Sequence, residues 1–264
     1  MNPQAPPTFL GLRRRYWILA LGMSAALLLW RLEVRTIDRF SADVGAVGAY
    51  VTAIGTLYGI LAAFTIYVVW TQFNDAQTAV DTEANELQDL FRFAIYLRDP
   101  AVLDALQTAI IEYSASVVRD EWPAMSAQRT SDQSASHFES IFQAVHAVRF
   151  DDERDASAWE KMIGKFEAAS DARSKRLALS VSTVPRLLRV LIYLVSFALI
   201  VGFFVMFIVS DIVAVVVTVA TTAIVFLVIE VIEDLDDPFG GQWALTPDPF
   251  SRLPLEVNAL RGEQ

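Results

Sequence analysis

The chain of 264 residues contains no cysteine. Disulfides, thiolate metal sites and thiol nucleophiles are therefore excluded, and no redox signature of compartment exists. Histidine is nearly as scarce. His137 and His146 lie nine residues apart, so they do not share a helix face as an i,i+4 metal pair would. They read as two partly exposed helix residues. No phosphate-cradling glycine loop and no G-x-S-x-G elbow occurs. Nothing in these residues points to a catalytic group, a cofactor or a bound metal, and the expectation is a protein that is not an enzyme. A net charge of −10 leaves no basic face for nucleic acid.

Charge itself is missing from a long stretch. Val44 to Trp70 carries none, and hydrophobic residues make up 54% of the chain against about 45–50% in ordinary globular domains. The excess sits in four blocks, 16–32, 44–70, 187–209 and 212–232. A transmembrane helix needs roughly 20 mostly apolar residues. The last three blocks meet that length and the first is shorter. Arg13, Arg14 and Arg15 ahead of it resemble a signal-peptide start, but Leu27 to Arg31 is a poor cleavage site, so the block is read as a span. Residues 187–232 would extend roughly 70 Å as one helix against a core of about 30 Å, so they form a hairpin broken at Ser210-Asp211.

Glycine is absent between Gly59 and Gly164, as long helices require. The second apolar block continues without Gly or Pro into polar residues, predicting one helix from Val44 to Arg98. Asp99-Pro100 restarts a helix, with Asp at the N-cap and Pro at the first helical position. Apolar positions Val102, Leu103, Leu106, Ile110, Tyr113 and Val117 recur at helical spacing, and that helix ends near Trp122-Pro123. A third helix carries Phe138, Ile141, Phe142, Val145 and Val148 on one face. A fourth, less regular, runs from about Asp155 to Val184. The fold class is thus an all-α membrane protein, with four transmembrane helices and a cytoplasmic helical bundle between the second and third. The segments are an N-terminal tail 1–15, helices one and two in 16–70, the bundle 71–186, the hairpin 187–232 and a C-terminal tail 233–264. Arg13 to Arg15, and the basic group Arg173, Lys175, Arg176, Arg186 and Arg189 at the third span, put both termini and residues 71–186 in the cytoplasm of a multi-pass plasma (inner) membrane protein.

Three constellations stand out. Gly55-Thr56-Leu57-Tyr58-Gly59 is a small-xxx-small motif that permits close helix packing. Thr52, Thr56 and Ile60 lie on one stripe that could line a conduit shared by several subunits. Their hydroxyls can equally bond their own i−4 carbonyls. The acids Glu230, Glu233, Asp234, Asp236 and Asp237 end the fourth span. They lack the alternating spacing of a calcium loop and read as a solvated membrane exit. The Pro-rich tail behind them, Leu245 to Phe250, reads as having no helix of its own.

Four spans, a helical segment between the second and third, and an acidic D-P-F-G turn together resemble the bestrophins, in particular the bacterial bestrophin-like membrane proteins. The likeness rests on Trp70-Thr71-Gln72-Phe73, similar to the family's W-N-Q-Y. It rests also on Glu83-x-x-x-Leu87, Glu121-Trp122 and the run Asp234 to Gly241, and it covers most of 44–250. It implies a homo-oligomeric ion channel, pentameric in the family and mostly anion-conducting, with some bacterial relatives passing cations, surrounded by membrane lipids and passing small inorganic ions. Its pore neck falls on Thr52, Thr56 and Ile60, and Trp70, Gln72, Asp237, Pro238, Phe239 and Gly240 form a membrane-exit motif. Two threonines stand where the family's neck has bulky apolar residues. Gly241 to Leu245 lacks the acids of its calcium clasp. The alternative is a non-conducting scaffold or sensor whose acidic helices bind partner proteins.

Overall fold

The computed structural model describes residues 44–97, 99–149, 153–206, 208 and 210–262. The first expected span, 16–32, and the tail 1–15 lie outside the described residues, as does Arg98. All regular structure among the described residues is helical: α1 (Val44–Ala94), α2 (Pro100–Ser116), α3 (Trp122–Ser126), α4 (Asp132–His146), α5 (Glu153–Val181), α6 (Arg186–Val205), α7 (Asp211–Leu235) and α8 (Asp248–Gly262). A π-helical turn, Val117–Glu121, joins α2 to α3. The chain divides into two compact units. One holds the described residues up to Trp70 together with Val184–Asp236, and the other holds Thr71–Thr183 and the residues from Asp237 onward.

In the first unit, α1, α6 and α7 are three of the four described helices long and apolar enough to cross a membrane. The first part of α1 buries Val51, Tyr58, Ala62, Thr65 and Val69, a face that recurs every three to four residues. The Tyr58 hydroxyl donates to the carbonyl of Val225 on α7, at 3.5 Å. Close approach to α6 occurs at Gly202, where a Cβ would lie 2.9 Å from Val51 Cγ2 and 3.2 Å from the Tyr50 ring. Among the described residues, Gly55 meets only ordinary contact with Leu199, at 3.6 Å, and no atom lies within 4 Å of a Cβ at Gly59. Asp236 tethers the other end of the unit. Its carboxylate accepts from the Val184 backbone N–H at 2.7 Å and from Arg189 at 2.5 Å. The acids after the fourth span are therefore not simply solvated, since Asp236 and Glu230 are buried.

The fourth apolar helix, Pro100–Ser126 by length and composition, is the core of the second unit. Asp99 caps it, accepting from the N–H groups of Ala101 at 2.9 Å and Val102 at 3.3 Å. It buries Val102, Leu103, Leu106, Ile110 and Tyr113 against α4 and α8. Ser131 caps α4, and Ser116 and Ser134 share a hydroxyl hydrogen bond of 2.6 Å. Of the apolar face expected on α4, Phe138, Ile141, Val145 and Val148 are buried, whereas Phe142 is exposed and stacks on His146.

The tail departs from expectation. Its prolines suggested irregular chain, yet α8 forms with Asp248 and Pro249 in its first turn, where a missing N–H costs nothing. Phe250, Leu253 and Val257 then fall on one buried face, and burial of an aromatic such as Phe250 is worth about 1.5–3 kcal/mol. Burial of all three side chains together outweighs the roughly 3 kcal/mol that Pro254 costs inside the helix.

Gly202→Val should push against Val51 and Tyr50 and cost about 1–3 kcal/mol. A lower thermal midpoint of the detergent-solubilised protein would register it.

Candidate functional site

Two places carry the sequence-predicted residues, one in each unit. In the membrane unit, Thr52, Thr56 and Ile60 are all exposed on α1, opposite the buried face. The same register continues outward through Ala63, Tyr67 and Trp70, and Ile60 is 64% exposed. Both threonine hydroxyls donate to carbonyls one turn back, Thr52 to Gly48 and Thr56 to Thr52, each at 2.9 Å. The i−4 hydrogen bonds are therefore present, and the hydroxyl hydrogens are committed. Trp70 is half exposed and Gln72 partly so.

In the second unit the motif residues converge on a side chain that sequence reasoning assigned elsewhere. Arg176 of α5 is fully buried. Its Nε donates to Glu83 at 2.8 Å and one Nη to Glu121 at 2.7 Å, while another Nη donates to Met125 Sδ at 3.1 Å. The Tyr113 hydroxyl donates to Glu83 and accepts from Arg173 Nε at 3.0 Å. Arg173 also binds Glu121, at 2.6 Å. The Arg176 guanidinium lies 5.3 Å from the centre of the Phe250 ring. Two cations thus face two carboxylates, with a neutral phenol among them.

Burial pulls the Arg176 guanidinium down, but Glu83, Tyr113 and Glu121 together carry it above its ordinary value. Burial first, and then the charge of Glu83, push the Tyr113 hydroxyl well above 10.0. It stays protonated and can donate. The cluster is saturated and holds no open coordination position, so its chemistry is structural. Among the described residues no group of three His, Asp or Glu is placed to hold a metal. His137 lies 3.7 Å from Glu112.

The exit motif builds a turn. The Gly240 N–H donates to Asp237 Oδ1 at 3.0 Å. A Cβ at Gly240 would lie 2.5 Å from Asp237 Oδ2 and 3.0 Å from the Ser126 carbonyl, so a side chain there would have to displace the Asp237 carboxylate and press on that carbonyl. Pro238 and Phe239 are buried. Phe239 packs edge-on against Trp122 at 5.3 Å, and Trp122 Nε1 donates to the Leu245 carbonyl at 3.2 Å. Glu83, Leu87, Glu121, Trp122 and Phe239, five of the residues that carried the resemblance, therefore belong to one core.

A model of the Bestrophin-like domain matches residues 16–250. The chain belongs to the Bestrophin-like family. Solved structures agree in fold. Two crystal structures of point mutants of a bacterial bestrophin homologue from Klebsiella pneumoniae each give a TM-score of 0.73 at 13% identity. One covers 94% of this chain and 98% of the homologue, the other 96% and 99%. A further crystal structure of that homologue gives 0.69 at 14% identity, covering 94% and 97%. No curated protein matches the sequence.

One signal for Arg176 was present. Met162, Ala169 and Arg176 recur at seven-residue spacing on the buried face of α5. The expected irregularity of that helix arises because a cation occupies a core position.

Glu83→Ala leaves Arg176 short of a partner and should cost about 3–5 kcal/mol in denaturant unfolding followed by tryptophan fluorescence. Asp75→Ala, which breaks the exposed pair with Lys175, should cost less than about 1 kcal/mol. Because the folded Tyr113 value lies above 10.0, its contribution is fully present below pH 10 and is lost as pH rises through the folded value. A pH series of unfolding midpoints should show that alkaline loss, and Tyr113→Phe should lack that component.

Proposed function

We propose that this Bestrophin-like chain assembles as a homo-oligomeric ion channel of the plasma (inner) membrane, lined by α1 of each subunit. The observation that carries the reading is the exposed face from Thr52 through Ile60 to Trp70 on a helix whose opposite face is buried in its own chain. That face carries two threonines, small hydroxyl-bearing residues of the kind enriched where transmembrane helices meet one another. Gly59, exposed beside that stripe, leaves room there for a neighbouring subunit. Five subunits are carried over from the family, as is the anion preference, which requires donors or cations along the conduit.

Residues 71–186 and both termini are assigned to the cytoplasm. Support comes from Lys175 and Arg186 near the third span, and from Arg189, which shares its charge with Asp236. Arg173 and Arg176 do not count toward that assignment, because their charges are spent inside the second unit.

Reconstituted in liposomes, the oligomer should pass small ions, and Thr56→Trp should block or sharply reduce the flux. Single cysteines at positions 50–68 should label from the water phase with a four-residue rhythm through Thr52, Thr56 and Ile60. Uniform protection, with no flux under chloride, sodium or potassium gradients, would instead favour the scaffold reading.

A further inference from the structure

Inside the membrane unit, a small cavity opens between α6 and α7. Ile192 of α6 with Ile229 and Ile232 of α7 make it apolar within, and all three are buried. Arg189, Tyr193 and Glu233 give it a polar side. Val184 and Asp236, at which the chain leaves this unit, also line it. A pocket that is apolar within and charged at the end of two spans suits an amphiphile.

The charges select the headgroup. A guanidinium has five N–H donors. One Nη of Arg189 donates to Asp236 at 2.5 Å, and no other hydrogen bond of that guanidinium occurs among the described residues. Arg186 lies one turn earlier, where i,i+3 side chains are neighbours. It is exposed and makes no ion pair or hydrogen bond among the described residues. Across the cavity, Glu233 accepts from the neutral Tyr193 hydroxyl at 2.5 Å, and a carboxylate has lone pairs for further donors.

A simple anion drawn to Arg186 and Arg189 would also lie beside Glu233 and Asp236, and the two signs cancel. A simple cation meets the same balance reversed. A zwitterion answers both, with its negative end on the guanidinium groups of α6 and its positive end on the carboxylate of α7.

We infer that this cavity binds the headgroup of a zwitterionic phospholipid with a primary ammonium, the phosphatidylethanolamine class. Phosphate oxygens accept from Arg189 and Arg186, and the ammonium donates to Glu233. The acyl chains lie along Val190, Leu194 and Phe197, the exposed apolar face of α6 beyond Arg189. A quaternary ammonium has no N–H to donate, so the site discriminates against phosphatidylcholine. The inference rests on α6 and α7 crossing a membrane and not on α1 lining a conduit.

The test is competition for the detergent-solubilised full-length protein among phosphatidylethanolamine, phosphatidylcholine and phosphatidylglycerol of matched acyl chains. Retained lipid is read by native mass spectrometry. Wild type should retain phosphatidylethanolamine over each of the others by roughly tenfold, the equivalent of one charge-assisted hydrogen bond. Arg186→Gln should lower that retention by roughly threefold or more. Glu233→Gln, which still accepts from Tyr193, should erase the preference over phosphatidylcholine. Neither side chain is buried, so both variants should elute as wild type from a sizing column. Equal retention of the three lipids by wild type, or a preference for phosphatidylglycerol, overturns the inference. So does a preference that both substitutions leave unmoved. Should a variant fail to fold, the wild-type competition decides alone. A protein that conducts no ions yet shows the preference overturns the channel and leaves this site standing.

Discussion

The guanidinium of Arg176 organises the second unit. Removing a cation from water costs several kcal/mol even after relaxation, and Arg176 has no exposed surface. The cost is offset only if its donors find acceptors, and these come from separate elements: Glu83 on α1, Glu121 at the end of the π turn and Met125 on α3. Tyr113 from α2 and the ring of Phe250 from α8 complete the surroundings. Apolar packing can slide by one turn at modest cost, but a buried cation tolerates no such slip. The cluster therefore sets the register in which these helices meet, a role best attested for buried polar groups in coiled coils.

The membrane unit is built by different means. Apolar surface gives no net drive for helices to associate in lipid, so close backbone approach and polar contacts carry the packing. Gly202 supplies the first, under Val51 and the Tyr50 ring. Asp236 supplies the second, joining the residues that lead into α6 to the foot of α7 through Val184 and Arg189. The Tyr193 hydroxyl repeats the contact one turn further along by donating to Glu233 at 2.5 Å.

The parts most legible in the sequence were those governed by local chemistry. Apolar length marked α1, α6 and α7, and Asp99-Pro100 marked the start of α2. The spacing from Val102 to Val117 marked its buried face. Long-range pairing was not legible, because it depends on which faces meet. Arg173 and Arg176 looked like membrane-flanking charges, since a basic residue near a span is usually exposed, and the tertiary fold turned both inward. The glycines at 55 and 59 drew notice as a motif, while the close approach fell on Gly202, which stands alone. Proline content concealed α8, whose helical state depends on the core it docks into. Of the outward face of α1, the stripe through Thr52, Thr56 and Ile60 was visible.

The π turn Val117–Glu121 has a consequence for how this core tolerates change. Such a turn is an α-helix widened by one extra residue. The extra residue is taken up within the turn, so loss of one residue there would close it to regular α geometry with the flanking helix kept in register. A second loss, with no widened turn left to absorb it, would rotate everything beyond by about 100°. Glu121 would then swing away from Arg176 while the Trp122 ring left Phe239 and the carbonyl of Leu245. A side chain altered within the cluster can be answered by a compensating change in its partner, whereas such a rotation displaces both sets of contacts together. The widened turn is thus the one place along this helix where the residue count has slack.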